Sequence, residues 1–324
     1  PGRNADERGR RRTIRMRHII AGVVIEGQRS GEFRQFSVKA ADELLYALIE
    51  AAIFRIAVLD RSEVSGIEES ARLFAQGPGV TAWQAVDSRA RQTLTTMLSG
   101  RRVVDVVGPL GWEYAAVPLG RIEYAKTQSV SGITYGLHQV KPLVEVKVPF
   151  TLDIAEIDNA ARGGKDIDLA ALDEAAEKLA RFEEEALYHG FAPAGIKGLS
   201  EVSSQTRLQV SSNPEDIAEK VTKALTALRK TSVEGPYALV VGPELWVALS
   251  GHVRDYPLSQ YLETMLGGQV IVSPFIEEAY LLSTRGGDLE MTLGGDIAIG
   301  YASHDTEKVA LFFLESFTFQ VLDP

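Results

Sequence analysis

Histidines are the residues of this chain best placed to bind a metal or move a proton near neutral pH, and there are five: His18, His138, His189, His252 and His304. No two stand at the spacing of a metal or protease motif. Glu185 and His189 share one face of a helix, yet this is not the Glu-x-x-His pattern of di-iron carboxylate bundles, and a surface pair is the simpler reading. Glu183, Glu184 and Glu185 are consecutive, so on a helix they point in different directions. They make no tight acid/base pair and read as a solvated face. The glycines of Arg162-Gly-Gly-Lys165 and Arg285-Gly-Gly-Asp288 only superficially suggest phosphate loops, because neither segment carries the Gly-x-x-x-x-Gly-Lys spacing; turn glycines are expected there. No serine sits in a Gly-x-Ser-x-Gly elbow. The absence of cysteine removes disulfides, thiolate zinc sites, iron–sulfur clusters and cysteine nucleophiles together. The residues therefore predict no catalytic centre, no metal and no cofactor, and Trp112, Trp246, Phe317 and Phe319 read as core or interface anchors.

A chain of 324 residues, 45% hydrophobic and 24% charged, has the balance of a globular protein able to bury a substantial core. No apolar run reaches the length of a membrane span. The net charge of −10 is uneven. Residues 1–18 hold seven arginines against Asp6 and Glu7, a local balance of +5 that leaves −15 on the remainder. An acidic body argues against general nucleic-acid binding; the arginine arm reads as solvated, with phosphate binding as the alternative. Arg11 and Arg12 precede the apolar segment His18–Ile25, but Glu26 and Arg29 cut it too short for a twin-arginine export signal, and a cytoplasmic location is expected.

The elements that must position any site follow from periodicity and turn chemistry. Ile19 to Glu26 and Glu32 to Val38 read as a hairpin, and Lys39 to Asp60 as an amphipathic helix. Asp60 to Ser70 is a linker. Thr81 begins a helix lined by Trp83, Val86, Ala90, Leu94, Met97 and Leu98 that ends at Gly100. Val103, Val104, Val106 and Val107 favour extended chain, after which Gly108, Pro109 and Gly111 force a turn presenting Trp112 and Tyr114. Arg121–Tyr124, Ile133–Val140 and Val144–Val148 alternate around a turn at Ser129–Gly132. Helices are expected over Thr151–Ala161 and Asp168–His189, and from Asn213, an N-cap followed by Pro214. Short strands at Ala238–Val241, Val270–Val272 and Tyr280–Ser283 make the class α+β.

The stretch from Gly100 to Ala116 resembles the encapsulins, bacterial and archaeal shell proteins with the fold of tailed-phage major capsid proteins. Further segments stand in the order that resemblance requires: Pro149–Asn159, Val233–Tyr237, Asp255–Leu258, Thr284–Asp288, Leu293–Asp296, Ile299–Asp305 and Phe317–Gln320. The resemblance covers residues 71–324 and implies a Hong Kong 97-type fold with peripheral, axial and extended-loop regions. Residues 1–70 form an extension outside it. The implied function is a structural shell, T=1 and icosahedral, enclosing a peroxidase or ferritin-like iron-storage protein through a short C-terminal cargo peptide.

Several residue roles are implied by the same resemblance. The helix from Thr81 would face the lumen, and Arg101 and Asp105 match positions that pair with a charged, extended cargo peptide. Trp83, Val86 and Leu94 would be that helix's inward packing face. His252, Arg254 and Asp255 fall in the loop that encapsulins gather around a five-fold pore. Some members hold a flavin on a tryptophan where this chain has Ala155, so flavin is not expected. The extension, preceding a lumenal helix, would itself lie inside and cover the docking surface. The alternative is a phage or prophage capsid protein packaging DNA, for which the arginine arm would be a lumenal phosphate anchor.

Overall fold

Fourteen consecutive residues of extended chain, Lys308–Val321, organise the molecule as strand β14. The computed structural model describes residues 80–124, 133–203, 207–250, 252–253 and 256–323. Contacts divide the chain into Pro1–Gly77 and Pro78–Pro324. The hairpin and helix expected within residues 1–70, and the turn Ser129–Gly132, lie outside the described residues.

β14 pairs antiparallel with β4 (Val144–Asp153) along one edge. Its other edge is shared by β12 (Leu289–Leu293), opposite Phe317 to Val321, and β13 (Ala298–His304), opposite Val309 to Leu314. β1 (Asp105–Val107) adds in parallel to β12 and closes the five-stranded sheet with an edge strand. The sequence of β14 accounts for its placement. Val309, Leu311 and Phe313 alternate with more open residues, the pattern of a strand buried on one face, whereas Glu315 to Gln320 are buried on both.

The odd-numbered face of β14 is covered by helices α1 (Val80–Met97), α2 (Ile154–Ala161) and α3 (Ala170–Tyr188). α3 buries a stripe at helical spacing, Leu172, Ala175, Ala176, Leu179, Ala180, Glu183, Glu184 and Leu187. Alanines within that stripe permit close approach to α1, whose Val86, Ala90 and Leu94 pack into the same core. Arg89 on α1 forks onto Asp173 of α3, its Nε and Nη2 donating at 2.9 and 2.7 Å, while the Thr93 hydroxyl donates to the same carboxylate at 2.7 Å.

The helix expected from Thr151 begins only at Ile154. Thr151, Leu152 and Asp153 instead extend β4, paired with Ala310, Val309 and Lys308. Burial of Leu152 in the core and a continuous ladder outweigh the local helical pattern. Asn213 fulfils its expected part, accepting the Glu215 N–H at 3.0 Å on Oδ1, with Pro214 as the first helical residue.

A smaller lobe is built on β10 (Val270–Val272), β7 (Tyr237–Val241) and β11 (Ala279–Ser283), in that order. β7 is buried throughout, parallel to β10 and antiparallel to β11. Helices α5 (Pro214–Lys230), α6 (Pro243–Leu249) and α7 (Leu258–Leu266) cover it with Ile217, Leu225, Leu249, Leu258 and Leu262. Between the lobe and the main sheet run the short α4 (Leu199–Val202), the pair β5 (Gly190–Phe191) and β6 (Ile196–Lys197), and Ile196 in the shared core. Two further ribbons stand apart: β2 (Ala116–Tyr124) with β3 (Gly136–Pro142), and β8 (His252–Val253) with β9 (Tyr256–Pro257).

Candidate functional site

Two features stand out, a buried acidic joint between the main sheet and α3 and an apolar hairpin apart from that sheet. The joint forms where α3 crosses the 3-10 turn Gly100–Arg102 and the middle of β14. Strand alternation points Glu315 to the same side as Phe313 and Phe317, toward α3. Extending the α3 stripe from Leu179 and Ala180 by one turn places Glu183 and Glu184 on that buried face. Both are closed off from solvent, at 1% and 0% exposure, and so is Glu315 at 0%. The solvated face expected of the glutamate run is therefore corrected. Only Glu185 points outward, because a sheet and a turn pack over the face that the other two occupy.

Arg101 is the cation of this joint, itself only 19% exposed at the side chain. Its Nε and Nη2 fork onto Glu183 at 2.9 and 2.7 Å, Nη1 donates to Asp296 at 2.7 Å, and Nη2 also meets Glu315. Burial pulls the guanidinium toward deprotonation, but Glu183, Glu315 and Asp296 together hold it charged, raising its pKa further. Burial pushes the Glu315 carboxyl well above the usual carboxylate range, and the charge of Glu183 adds to the effect against the opposing pull of Arg101. Oε2 of Glu315 has no hydrogen-bond partner.

Glu184 faces a different set of groups. Its Oε1 accepts the Gly100 N–H at 2.7 Å, and Oε2 accepts the hydroxyls of Ser99 and, at 2.8 Å, Ser273. No cation is among these partners. Burial raises its pKa to about 7 although all three donors favour the carboxylate. Tyr188 Oη lies 2.9 Å from Ser99 Oγ, and burial pushes that phenol up as well. A Cβ at position 100 would stand 2.7 Å from Leu187 Cδ1 and 3.1 Å from Glu184 Oε1, so a larger residue there would have to displace the ends of these two buried side chains.

The hairpin β2–β3 pairs with no other strand. Its register sets Ile122 beside His138 and Tyr124 beside Gly136 on one face, and Leu137 beside Glu123 on the other. Ile122 is 43% exposed, Tyr124 60% and Leu137 69%, so both faces present apolar side chains to solvent. A two-stranded ribbon of this kind has little stability alone, and among the described residues no further strand pairs with it.

The remaining residues singled out by sequence are scattered. Asp105 lies on exposed edge strand β1 and accepts the Gly287 N–H at 2.5 Å. Gly108 and Gly111, with φ of 119° and 110°, make the expected turn beyond β1; Val106 and Val107 of β1 and Leu110 and Trp112 of the turn are partly exposed. Trp246 is also partly exposed, whereas Phe317 and Phe319 are core. Arg101 and Asp105 belong to consecutive turn and strand but engage different partners. His252 lies in β8, with Arg254 and Asp255 outside the described residues. Glu185 and His189 line one cleft with Gly190, Phe275, Glu277 and Glu278, His189 Nε2 standing 4.0 Å from Glu278 Oε2. Among the described residues no group of three or more His, Cys, Asp or Glu is arranged to hold a metal ion, and no helix is long and apolar enough to cross a membrane.

Comparison with known proteins matches residues 79–318 to the family model described as "Encapsulating protein for peroxidase". The chain is 40% identical over 250 residues to the type 1 encapsulin shell protein of Rhodospirillum rubrum, covering 75% of this chain and 89% of that protein. It is 39% identical over 239 residues to that of Mycobacterium tuberculosis, covering 74% and 90%. A more distant match, 26% identical over 232 residues, is a diheme-cytochrome–encapsulin shell fusion protein of Kuenenia stuttgartiensis, covering 67% of this chain and 62% of that protein. Among solved structures, a virus-like particle from Pyrococcus furiosus superposes with a TM-score of 0.54 at 18% identity, covering 75% of this chain and 96% of that one.

Proposed function

Because the chain belongs to the encapsulin shell-protein family, we propose that it builds the wall of a closed T=1 icosahedral compartment around a peroxidase or ferritin-like cargo protein, each subunit supplying wall and docking surface rather than catalysis. The coarser part of this reading follows from the family: a structural protein of α+β, Hong Kong 97-type capsid fold that assembles with its own copies into a hollow shell enclosing cargo. The observation that supports a wall role is the β2–β3 hairpin, which among the described residues pairs with no further strand and exposes apolar side chains on both faces, surface that neighbouring subunits would cover. Repetition of such heterologous contacts around symmetry axes closes a shell. Electron microscopy of purified particles, with the ratio of absorbance at nucleic-acid and protein wavelengths, tests the proposal. Hollow particles of one small size are expected. Larger or open assemblies overturn T=1, and particles filled with DNA favour the packaging role for which the arginine arm would serve.

Cargo is taken to dock by a short C-terminal peptide on the lumenal wall near the turn from Gly100 and strand β1. Support comes from β1 itself, an exposed edge strand in which Val106 and Val107 are open to solvent, followed by a turn that leaves Leu110 and Trp112 exposed. An extended peptide gains main-chain hydrogen bonds at such an edge and side-chain burial beside it. Asp105 would then pair with a cationic peptide residue; Arg101, whose guanidinium is already held by Glu183, Glu315 and Asp296, would contribute by shaping the turn before β1 rather than by a free charge. Asp105→Asn keeps an oxygen for the Gly287 N–H while deleting the charge, and is expected to weaken peptide binding about tenfold. Fluorescence anisotropy of a labelled cargo peptide on assembled particles measures this, and unchanged affinity removes Asp105 from the dock. Comparing the full chain with one beginning near Ser70 tests whether residues 1–70 occlude the dock. Higher loading in the shorter chain supports occlusion, and equal loading refutes it.

The ribbon β8–β9 and its connection, carrying His252, Arg254 and Asp255, are proposed to line the opening at the five-fold axis. Charged rings select small ions at short range, and a histidine adds pH dependence. His252→Ala combined with Arg254→Ala is expected to change the rate at which ions enter loaded shells, by stopped-flow quenching of a trapped dye. An identical rate makes the ribbon purely structural.

A further inference from the structure

We propose that the crossing of α3, the 3-10 turn and β14 is a proton-responsive joint of the wall, held tightest when Glu184 and Glu315 are protonated and loosened as they ionise. The argument is one of charge and geometry. Three carboxyl groups, Glu183, Glu184 and Glu315, are buried to 1% exposure or less, and among the described residues the joint holds one cation, the largely buried Arg101. A buried charge without compensation is strongly destabilising, so one guanidinium leaves the set short of positive charge. Protons supply the difference.

Each carboxyl's surroundings say where the protons sit. Glu183 holds the bidentate fork of Arg101 and is the ion of the pair. As a carboxylate, Glu315 leaves Oε2 unpartnered in a dry site; as an acid, that oxygen becomes a donor with Glu183 as its acceptor. The other groups facing Glu315 are Arg101 from the turn and Asp296 from the segment after β12. Glu184 is surrounded by neutral donors, Ser99 and Gly100 from the turn and Ser273 after β10. Glu183 and Tyr188 are its charged and titratable neighbours on α3, and Tyr280 of β11 stacks on Tyr188 with ring centroids 4.9 Å apart. One serine hydroxyl can rotate to accept the single proton of a protonated Glu184 while the other still donates to the carboxyl, so the acid form keeps every contact.

The sign follows from the raised values. An acid whose folded pKa lies above its unfolded one contributes most stability when both states are protonated, and loses it as pH rises through the folded value. For Glu184 this window runs from the ordinary carboxylate value of 4.5 to about 7. Across it, the folding equilibrium is expected to weaken on the order of a few hundredfold from this residue alone. Glu315 extends the loss in the same direction.

The test is urea unfolding of the full chain from pH 4.5 to 8, for wild type, Glu184→Gln, Glu315→Gln and the double variant. Wild type is expected to weaken with rising pH, while each glutamine flattens the curve and the double variant overtakes wild type at pH 8. A purely structural role gives a constant offset at every pH, and that outcome, or a wild type that strengthens over this range, overturns the proposal. Infrared difference spectra of intact particles give a second reading that needs no unfolding. A protonated-carboxyl band at pH 6 that fades by pH 8 is expected in wild type and should shrink in whichever single variant folds. A wild-type spectrum without that band refutes protonation outright.

Discussion

Arg101→Ala is expected to cost about 3–5 kcal/mol of subunit stability, because it leaves Glu183 and Glu315 buried without their cation. Against a typical total of about 5–15 kcal/mol, such a loss empties the soluble fraction at growth temperature. Chemical unfolding of whatever folds, together with soluble yield, measures it. Replacing the buried members of the cluster, with Arg101→Met, Glu183→Gln and Glu315→Gln together, is expected to recover much of the deficit, since the carboxylate left behind, Asp296, is half exposed to solvent. A single Arg101→Ala within about 0.5 kcal/mol of wild type would mean that the guanidinium is dispensable to the fold. The same reasoning explains why Arg101→Glu is a poor probe of cargo docking: it removes the cation and sets a further carboxylate beside buried Glu183 and Glu315, and lost docking would be inseparable from lost structure.

The second large effect is on assembly. With Ile122→Asp and Leu137→Asp together, subunits are expected to fold and to form no closed shells. The two side chains lie on opposite faces of a ribbon outside every core cluster, so the subunit itself loses little. Between neighbours, each apolar side chain of this size contributes about 1.5–3 kcal/mol when buried, and an aspartate in its place brings a desolvation penalty as well. Sedimentation velocity separates the outcomes: a small species with native circular dichroism is expected, and particles of wild-type size would show that the hairpin does not hold the shell together.

What could be read from the sequence was local. Asn213–Pro214 opens a helix wherever it falls because capping involves only the next two or three residues, and Val270–Val272 reads as strand because a β-branched run packs well in a sheet. The ordered segments from Gly100 to Gln320 carried the fold. The acidic joint was hidden because its members come from the turn at Arg101, from α3 and from β14, far apart in the chain. Two signals for it were nonetheless present. A glutamate inside the apolar run Val309–Phe319 demands a partner in any buried strand. Continuing the spacing of Leu172, Ala176 and Leu179 lands on Glu183. The extent of β4 through Asp153 had no such signal, since only the long ladder with β14 keeps those residues extended.

The position of β14 has a consequence for synthesis. Every strand of the wall sheet, β1, β4, β12 and β13, is made before residues 308–321, and β4, β12 and β13 reach that sheet only through β14. A chain still on the ribosome therefore carries its sticky hairpin, translated nearly 170 residues earlier, while the layer that gives it a rigid base is incomplete. With the hairpin in the inter-subunit role proposed above, subunits are expected to become competent to join a shell only on completion of that strand, which would keep half-made chains out of the wall.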